Sequence, residues 1–398
     1  MDISKRIKDM SFSEIRKLIP FANEAKKKGI KVYHLNIGQP DVKTPKEFFD
    51  AVNNYKGTTI KYENSQGMVE LIQSFIKYYK GLNITLDEDE VYITNGASEG
   101  ILYALMTICD FGDEIIVPEP YYTNYNNIAK LAGVNIRSFK TFRQDGFHLR
   151  SKEEIVNNIS ENTKAILVSN PGNPTGVVYT KEEVRLLSDI AKEHNLYILA
   201  DEVYREFVYD GLKHTSFMYM EDILDRIILI DSISKRYSAC GARVGMIASK
   251  NKNVSKEFLK LCQSRLSVSS LDQVGAANLI NVSREYFKEV NEEYENRRNI
   301  LYNGLSSIEG IECEKPSGAF YIIAKLPVED ANDFAKWLLT DFNYENKTVM
   351  ITPASGFYAT KERGKDEVRL SYCINSEDLK EAIIILTKAL QSYKNKSN

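Results

Sequence analysis

Between residues 91 and 249 the chain alternates short apolar runs with longer amphipathic stretches. VYITN (91–95) precedes a helical pattern from Ser98 to Cys109. EIIVPEP (114–120) precedes YTNYNNIAKLAG, and KAILVSN (164–170) precedes KEEVRLLSDIAKEHN. LYILADEVY (196–204), RIILIDS (226–232) and RVGMIAS (243–249) follow. Runs rich in Ile, Val and Leu, without polar alternation, predict strands covered on both faces. Strands alternating with helices predict an α/β domain with a mainly parallel sheet. Ligands of such sheets bind beyond the carboxyl ends of the strands. The chemically suggestive residues follow those ends: Gly96-Ala97-Ser98, Asn170 to Asn173, Asp201, and Ser232 to Lys235.

The texture changes at SREYFKEVNEEYENRRNILYNGLSS (283–307), a long charged helical pattern. AFYIIAKL (319–326), a helix over 331–342, VMITP (349–353), EVRLSY (367–372) and a last helix from Glu377 follow. These predict a smaller α+β domain, which a helix over Glu14 to Lys28 and the strand VYHLNIG join from the other chain end. The expected division is 46–282 for a large domain and 1–45 with 283–398 for a small one. A length of 398 residues agrees with two domains. No internal repeat or low-complexity linker marks the boundary.

Bulk properties mainly exclude. A net charge of −3 gives no electrostatic footprint for nucleic acid or an anionic membrane. No apolar run approaches the roughly 20 residues that span a bilayer. MDISKRIKDMSF has no apolar core behind its basic residues, so no secretory signal is expected. Cys109, Cys240, Cys262, Cys313 and Cys373 are scattered and odd in number, which fits reduced thiols in a cytoplasmic protein. Four histidines, none paired at short helical spacing, leave little for a metal, and none is expected.

The chemistry concentrates in DSISKRYSACGARVG (231–245). One lysine, Lys235, lies among small hydroxylated and glycine residues, with Arg243 eight positions on. That suits a lysine covalently bound to a phosphate-bearing aldehyde cofactor. Lys235 would supply the amine for a Schiff base. Ser232, Ser234 and Arg243 would hold the phosphate, and Gly241 and Gly245 would let the backbone pass close by. Upstream lie SNPGNPTG (169–176), containing Asn173, and ADEVY (200–204), containing Asp201 and Tyr204. The spacings are 28 residues from Asn173 to Asp201, three to Tyr204 and 31 to Lys235.

In type, order and spacing these motifs resemble the class I/II aminotransferases, the aspartate aminotransferase family of fold type I. The resemblance covers nearly the whole chain. It implies a large domain with a seven-stranded, mainly parallel sheet between helices, a smaller α+β domain, and pyridoxal 5'-phosphate as cofactor. Asp201 then looks like the buried carboxylate that keeps the ring nitrogen protonated. Asn173 and Tyr204 look like the pair that hydrogen-bonds the ring's phenolic oxygen. Lys235 would hold the cofactor and later move the proton as general base and acid. TNGASEG (94–100) resembles the phosphate-cradling turn, with Gly96, Ala97 and Ser98 entering a helix N-terminus. Among Tyr121, Tyr122 and Tyr125, the resemblance puts Tyr122 on the ring face. Arg369 looks like the bidentate grip on the substrate α-carboxylate, and Gly38 in LNIGQPD lines the substrate pocket. Tyr62 in KYENSQG looks like the tyrosine lent to a partner's cofactor phosphate, which implies a homodimer.

The resemblance leaves the substrate open. Aspartate or glutamate would need a second cation, and GASEG offers none. Arg265 could supply it across a dimer, or could be a plain helix-end arginine. The expected reaction moves an amino group from an L-amino acid to a 2-oxo acid, with glutamate/2-oxoglutarate as one pair. Alternatives are an aromatic or neutral amino-acid aminotransferase, and a carbon–sulfur β-lyase or cyclopropane-forming synthase on the same scaffold. A non-catalytic cofactor-binding regulator is the remaining reading.

Overall fold

The computed structural model describes residues 2–397. The strands run in chain order β1 (Lys31–His34), β2 (Val91–Thr94), β3 (Glu114–Glu119), β4 (Asn135–Lys140), β5 (Thr163–Ser169), β6 (Tyr197–Asp201) and β7 (Ile227–Ser232). They continue as β8 (Gly245–Ser249), β9 (Glu312–Cys313), β10 (Tyr321–Lys325), β11 (Lys347–Met350), β12 (Thr352–Pro353) and β13 (Glu367–Ser371).

Seven strands form one sheet in the order β2-β8-β7-β6-β5-β3-β4. All neighbouring pairs are parallel except those made by β8, which runs against both β2 and β7. The carboxyl ends of β2, β7, β6, β5 and β3 therefore share one edge, and the start of β8 comes to the same edge. The central strands are apolar on both faces. Ile227 and Leu229 of β7 pack into one cluster with Ile198 and Ala200, while Ile228 and Ile230 face the other way onto Leu199 and Leu167. Each such fully buried aliphatic side chain stabilises the fold by about 2 kcal/mol relative to exposure. The sheet class predicted from the unalternated runs is the one observed. β4 is an addition: half-exposed NIRSFK offers no apolar run and pairs only at the sheet edge.

The second core draws on both ends of the chain and on the segment 203–209 that follows β6. β12-β13-β10-β9 make an antiparallel sheet, and β1 pairs in parallel with β11. Leu18, Ala22 and Val32 from the start of the chain pack with Leu301, Phe334 and Leu386 from its end. Phe207, Tyr294 and Phe320 add a ring cluster with centroids 4.3–5.5 Å apart, each pair worth about 1 kcal/mol beyond its area.

The first long helix differs from expectation. It runs Ile19–Lys27 rather than starting at Glu14. Pro20 stands in its first turn, and proline is tolerated there but breaks a helix interior. The freed residues before it cross the sheet edge as a strap. Asn127 donates to the Ser11 carbonyl at 3.0 Å, and Asn36 donates to that of Ile15 at 3.1 Å. Among the described residues no helix is long and apolar enough to cross a membrane.

Candidate active site

A cavity of about 900 Å3 opens at the shared sheet edge, between the two cores and under the strap. Lys235 reaches it from the short helix Ile233–Arg236 that follows β7. Its Nζ donates to the Gly38 carbonyl at 2.8 Å. That helix is anchored from behind. Arg236 makes two bonds, of 3.0 and 2.7 Å, to the carboxylate of Asp231, and Tyr79 adds a third at 2.7 Å. All three are buried. An ion pair this deep holds geometry, because removing either partner strands a charge. Neither Arg236 nor Asp231 was singled out from sequence.

Asp201 ends β6 and is buried on the cavity floor. Its carboxylate accepts from the Tyr125 hydroxyl at 2.5 Å and from the Val203 amide at 3.5 Å. Burial pushes its pKa up to about 6, although the Tyr125 and Val203 hydrogen bonds pull downward. A carboxylate so desolvated calls for a cation beside it. Tyr125 thus serves Asp201 from below, while half-buried Tyr122 stands on the cavity wall. Their rings meet edge-on at 5.5 Å.

Asn173 and Tyr204 are both buried and line the cavity. Arg369, in β13 between β12 and β10, is buried at 1% exposure. It donates to Asn173 Oδ1 at 3.1 Å and to the Asn36 carbonyl at 2.6 Å, and its Nε has no partner. A buried guanidinium with a free donor on a cavity wall is ready for an anion.

The far end of the cavity suits a phosphate. Ala97 and Ser98 open the helix Ala97–Ile108 with no side-chain cap, which leaves first-turn amides for a ligand. Ser232 and Ser234 share a hydroxyl bond of 2.8 Å beside them. Arg243 lies across the helix start, donating to the Asn95 carbonyl at 3.3 Å. Gly96 itself is off the lining, yet it makes room for that guanidinium: its φ is 75°, and a Cβ there would meet Arg243 Nη2 at 2.4 Å. At Gly245 a Cβ would meet the Asp231 carbonyl at 2.7 Å, so that close backbone passage is real. Gly241 has open space around it and carries no such constraint. The amine, the carboxylate, the guanidinium and the anion cradle together fit an aldehyde- and phosphate-bearing cofactor.

Two predicted residues lie elsewhere. Tyr62 is 81% exposed and does not reach the cavity of its own chain. Arg265 is also off the lining; it donates to the Ser65 and Ile93 carbonyls at 3.1 and 3.3 Å and sits 3.4 Å from Glu99. In their place the structure brings Arg16 to the cavity mouth, exposed and with no ion pair or side-chain hydrogen bond among the described residues. Tyr321 lines the inner wall. No three His, Cys, Asp or Glu side chains converge to hold a metal among the described residues.

The sequence profile of the family "Aminotransferase class I and II" matches residues 30–386. The aspartate aminotransferase of Bacillus subtilis (strain 168) is 33% identical, over 99% of this chain and all of that protein. The aromatic-amino-acid aminotransferase 2 of Thermococcus litoralis is 31% identical, with the same coverage. The solved structure of Thermus thermophilus aspartate aminotransferase with maleate superposes with a TM-score of 0.89 at 27% identity, covering 98% of this chain and all of that one.

Proposed function

Because the chain belongs to the class I and II aminotransferases, we propose that it works with pyridoxal 5'-phosphate in the cavity between Lys235 and Arg369. It is an enzyme that transfers an amino group from an amino acid to a 2-oxo acid. The observation that carries the cofactor reading is the convergence of a lysine amine, a desolvated carboxylate and a buried guanidinium on one cavity.

When bound, the cofactor supplies an electron-withdrawing ring that stabilises negative charge at the substrate α-carbon. Asp201 would hold the ring nitrogen in its protonated form, and that positive charge would in turn restore the ionised carboxylate. Asn173 and Tyr204 would hydrogen-bond the phenolic oxygen, and Tyr122 would lie on the ring face. The amides of Ala97 and Ser98 at the helix start, the hydroxyls of Ser98, Ser232 and Ser234, and Arg243 would hold the phosphate, while Gly96, its own amide bonded to the Thr94 carbonyl at 2.8 Å, shapes the turn. Lys235 would carry the cofactor covalently at rest and then move a proton at the α-carbon. Arg369 would grip the α-carboxylate and orient the reacting bond, beside Gly38.

The active unit in this reading is a homodimer in which the partner subunit's Tyr62 completes the phosphate site. The exposure of Tyr62, with Ile60 and Val69 also exposed nearby in sequence, supports it. The same reading makes 46–282 the large, cofactor-binding domain and assigns 1–45 with 283–398 to the small one. The apolar clusters support that division in the main, with Phe207 and Tyr209 packing into the small-domain cluster and Ala354 and Phe357 into the large-domain one.

For the substrate we favour a dicarboxylate, with glutamate/2-oxoglutarate as one pair. The names of the curated relatives support it, as does Arg16, an unpaired cation at the mouth. An aromatic substrate is the second reading, favoured by Tyr122 on the wall and by the name of the Thermococcus litoralis relative. The test is a half-reaction: cofactor-loaded protein, one amino acid at a time, no acceptor. Stoichiometric oxo acid from aspartate and glutamate is the expected result. Oxo acid from aromatic amino acids alone would replace the dicarboxylate reading. Continuous pyruvate and ammonia from a cysteine conjugate would move the protein to the β-lyases.

A further inference from the structure

Tyr321 stands where the two halves of the site meet. It opens β10, directly opposite Ser371 of β13, so Arg369 is its diagonal neighbour on the same sheet face. The guanidinium carbon of Arg369 lies 4.4 Å from the centre of the Tyr321 ring. Its hydroxyl reaches the other way and is 2.8 Å from the hydroxyl of Tyr204. The two rings meet edge-on at 5.8 Å. Gly38 fits against the same ring, since a Cβ at that position would fall 1.9 Å from the Tyr321 hydroxyl. Both tyrosines are buried.

The direction of that hydroxyl pair follows from counting protons. A phenol has one proton to donate. If Tyr204 donates it to the cofactor's phenolic oxygen, the bond between the two tyrosines has to be donated by Tyr321. We propose that Tyr321 is a positioning residue: its hydroxyl donates to Tyr204, fixing and polarising that phenol as the donor to the cofactor, while its ring supports the guanidinium of Arg369. The inference rests on the pyridoxal phosphate reading above. The charged and titratable groups facing the pair are Lys235, Arg369, Tyr122 and Cys373, with Cys240 beside Lys235.

Consecutive donation strengthens a hydrogen bond. A polarised Tyr204 draws charge off the ring oxygen, and the neighbouring proton on the lysine nitrogen is then held less tightly. In cofactor-loaded Tyr321→Phe the absorbance-monitored pH midpoint of the lysine-bound cofactor should therefore move upward, by about half a pH unit. Tyr204→Phe should move it further in the same direction, and Tyr204→Phe with Tyr321→Phe should match Tyr204→Phe alone. The amino-acid KM should hold in Tyr321→Phe, which keeps the ring. It should rise about tenfold in Tyr321→Leu, the size of one partly desolvated cation–π contact. An unmoved midpoint in Tyr321→Phe, with a displaced one in Tyr204→Phe, overturns the hydroxyl role. An unchanged KM in Tyr321→Leu overturns the ring's role. Wild-type protein that takes up no lysine-bound cofactor overturns the underlying reading instead, before any variant is made.

Discussion

The hydroxyl of Tyr125 lies 2.5 Å from the carboxylate of Asp201, and both groups are buried. Without a cation above it, that carboxylate is held at a pKa of about 6 by burial, against the pull of Tyr125. The folded value exceeds the ordinary 3.8, so the stability this group contributes is full below about pH 4 and is lost as pH rises through 6. A two-unit displacement corresponds to roughly 3 kcal/mol at pH 8.

Asp201→Asn keeps an oxygen for Tyr125 and removes the charge. In cofactor-free protein at pH 8 the variant should melt higher than wild type, by on the order of 3 °C. At pH 4.5 the difference should shrink to about a third, and it should vanish only below about pH 4. Its affinity for pyridoxal phosphate should fall at the same time, because the ring nitrogen loses its anion. Calorimetry of both proteins at the two pH values decides; a variant that melts lower at pH 8 would mean the carboxylate is not held against desolvation.

Lys235→Ala should leave a protein that binds the cofactor without a covalent link. Borohydride reduction followed by mass spectrometry should label wild-type Lys235 and nothing in the variant. Turnover should drop by about 10^4, the upper range for loss of a positioned acid–base group. A reduced adduct on another lysine would reassign the role.

The strand ends were legible because burial on both faces leaves the strands without polar alternation, and the residues after them carry types that few structural roles require. Asn173, Asp201, Tyr204, Lys235 and Arg369 all reach one cavity. Other members of the site were hidden for specific reasons. Tyr321 is one apolar position in AFYIIAKL, and only its register against β13 brings it to Arg369. Tyr125 is one of three tyrosines in PEPYYTNY, and the helix beginning at Asn124 turns it inward to Asp201. Arg16 falls inside an expected helix that Pro20 delays to Ile19, which leaves the arginine on the strap. Arg236 and Asp231 look like flanking residues of the lysine motif until their ion pair is seen.

Arg16 and Arg369 should separate by substrate. Arg369 is buried with one free donor, so Arg369→Lys loses the planar fork and should raise KM about 10- to 100-fold for every amino acid. Arg16 is exposed at the mouth, and Arg16→Ala should raise KM about two- to fivefold for aspartate and glutamate only. Steady-state kinetics with aspartate, glutamate and phenylalanine check both. An equal effect of Arg16→Ala on phenylalanine would remove it from distal-carboxylate recognition.

Tyr62 provides the test of the shared site. Its side chain is 81% exposed and stays outside the cavity of its own chain, so a role at the phosphate requires a second copy. Tyr62→Ala alone should weaken cofactor binding about tenfold, the loss of one charge-assisted hydrogen bond. Lys235→Ala alone should be inactive. Co-expressed, the two variants form mixed dimers in which the Tyr62→Ala chain provides Lys235 and the Lys235→Ala chain provides Tyr62. One site of each mixed dimer is then complete, and half of randomly assorted dimers are mixed, so activity should recover to about a quarter of wild type. If Tyr62 served its own chain, no combination would place it with Lys235 in one site, and the mixture would show no recovery. Assaying at limiting cofactor concentration distinguishes the two cases, since only the complete site then stays loaded.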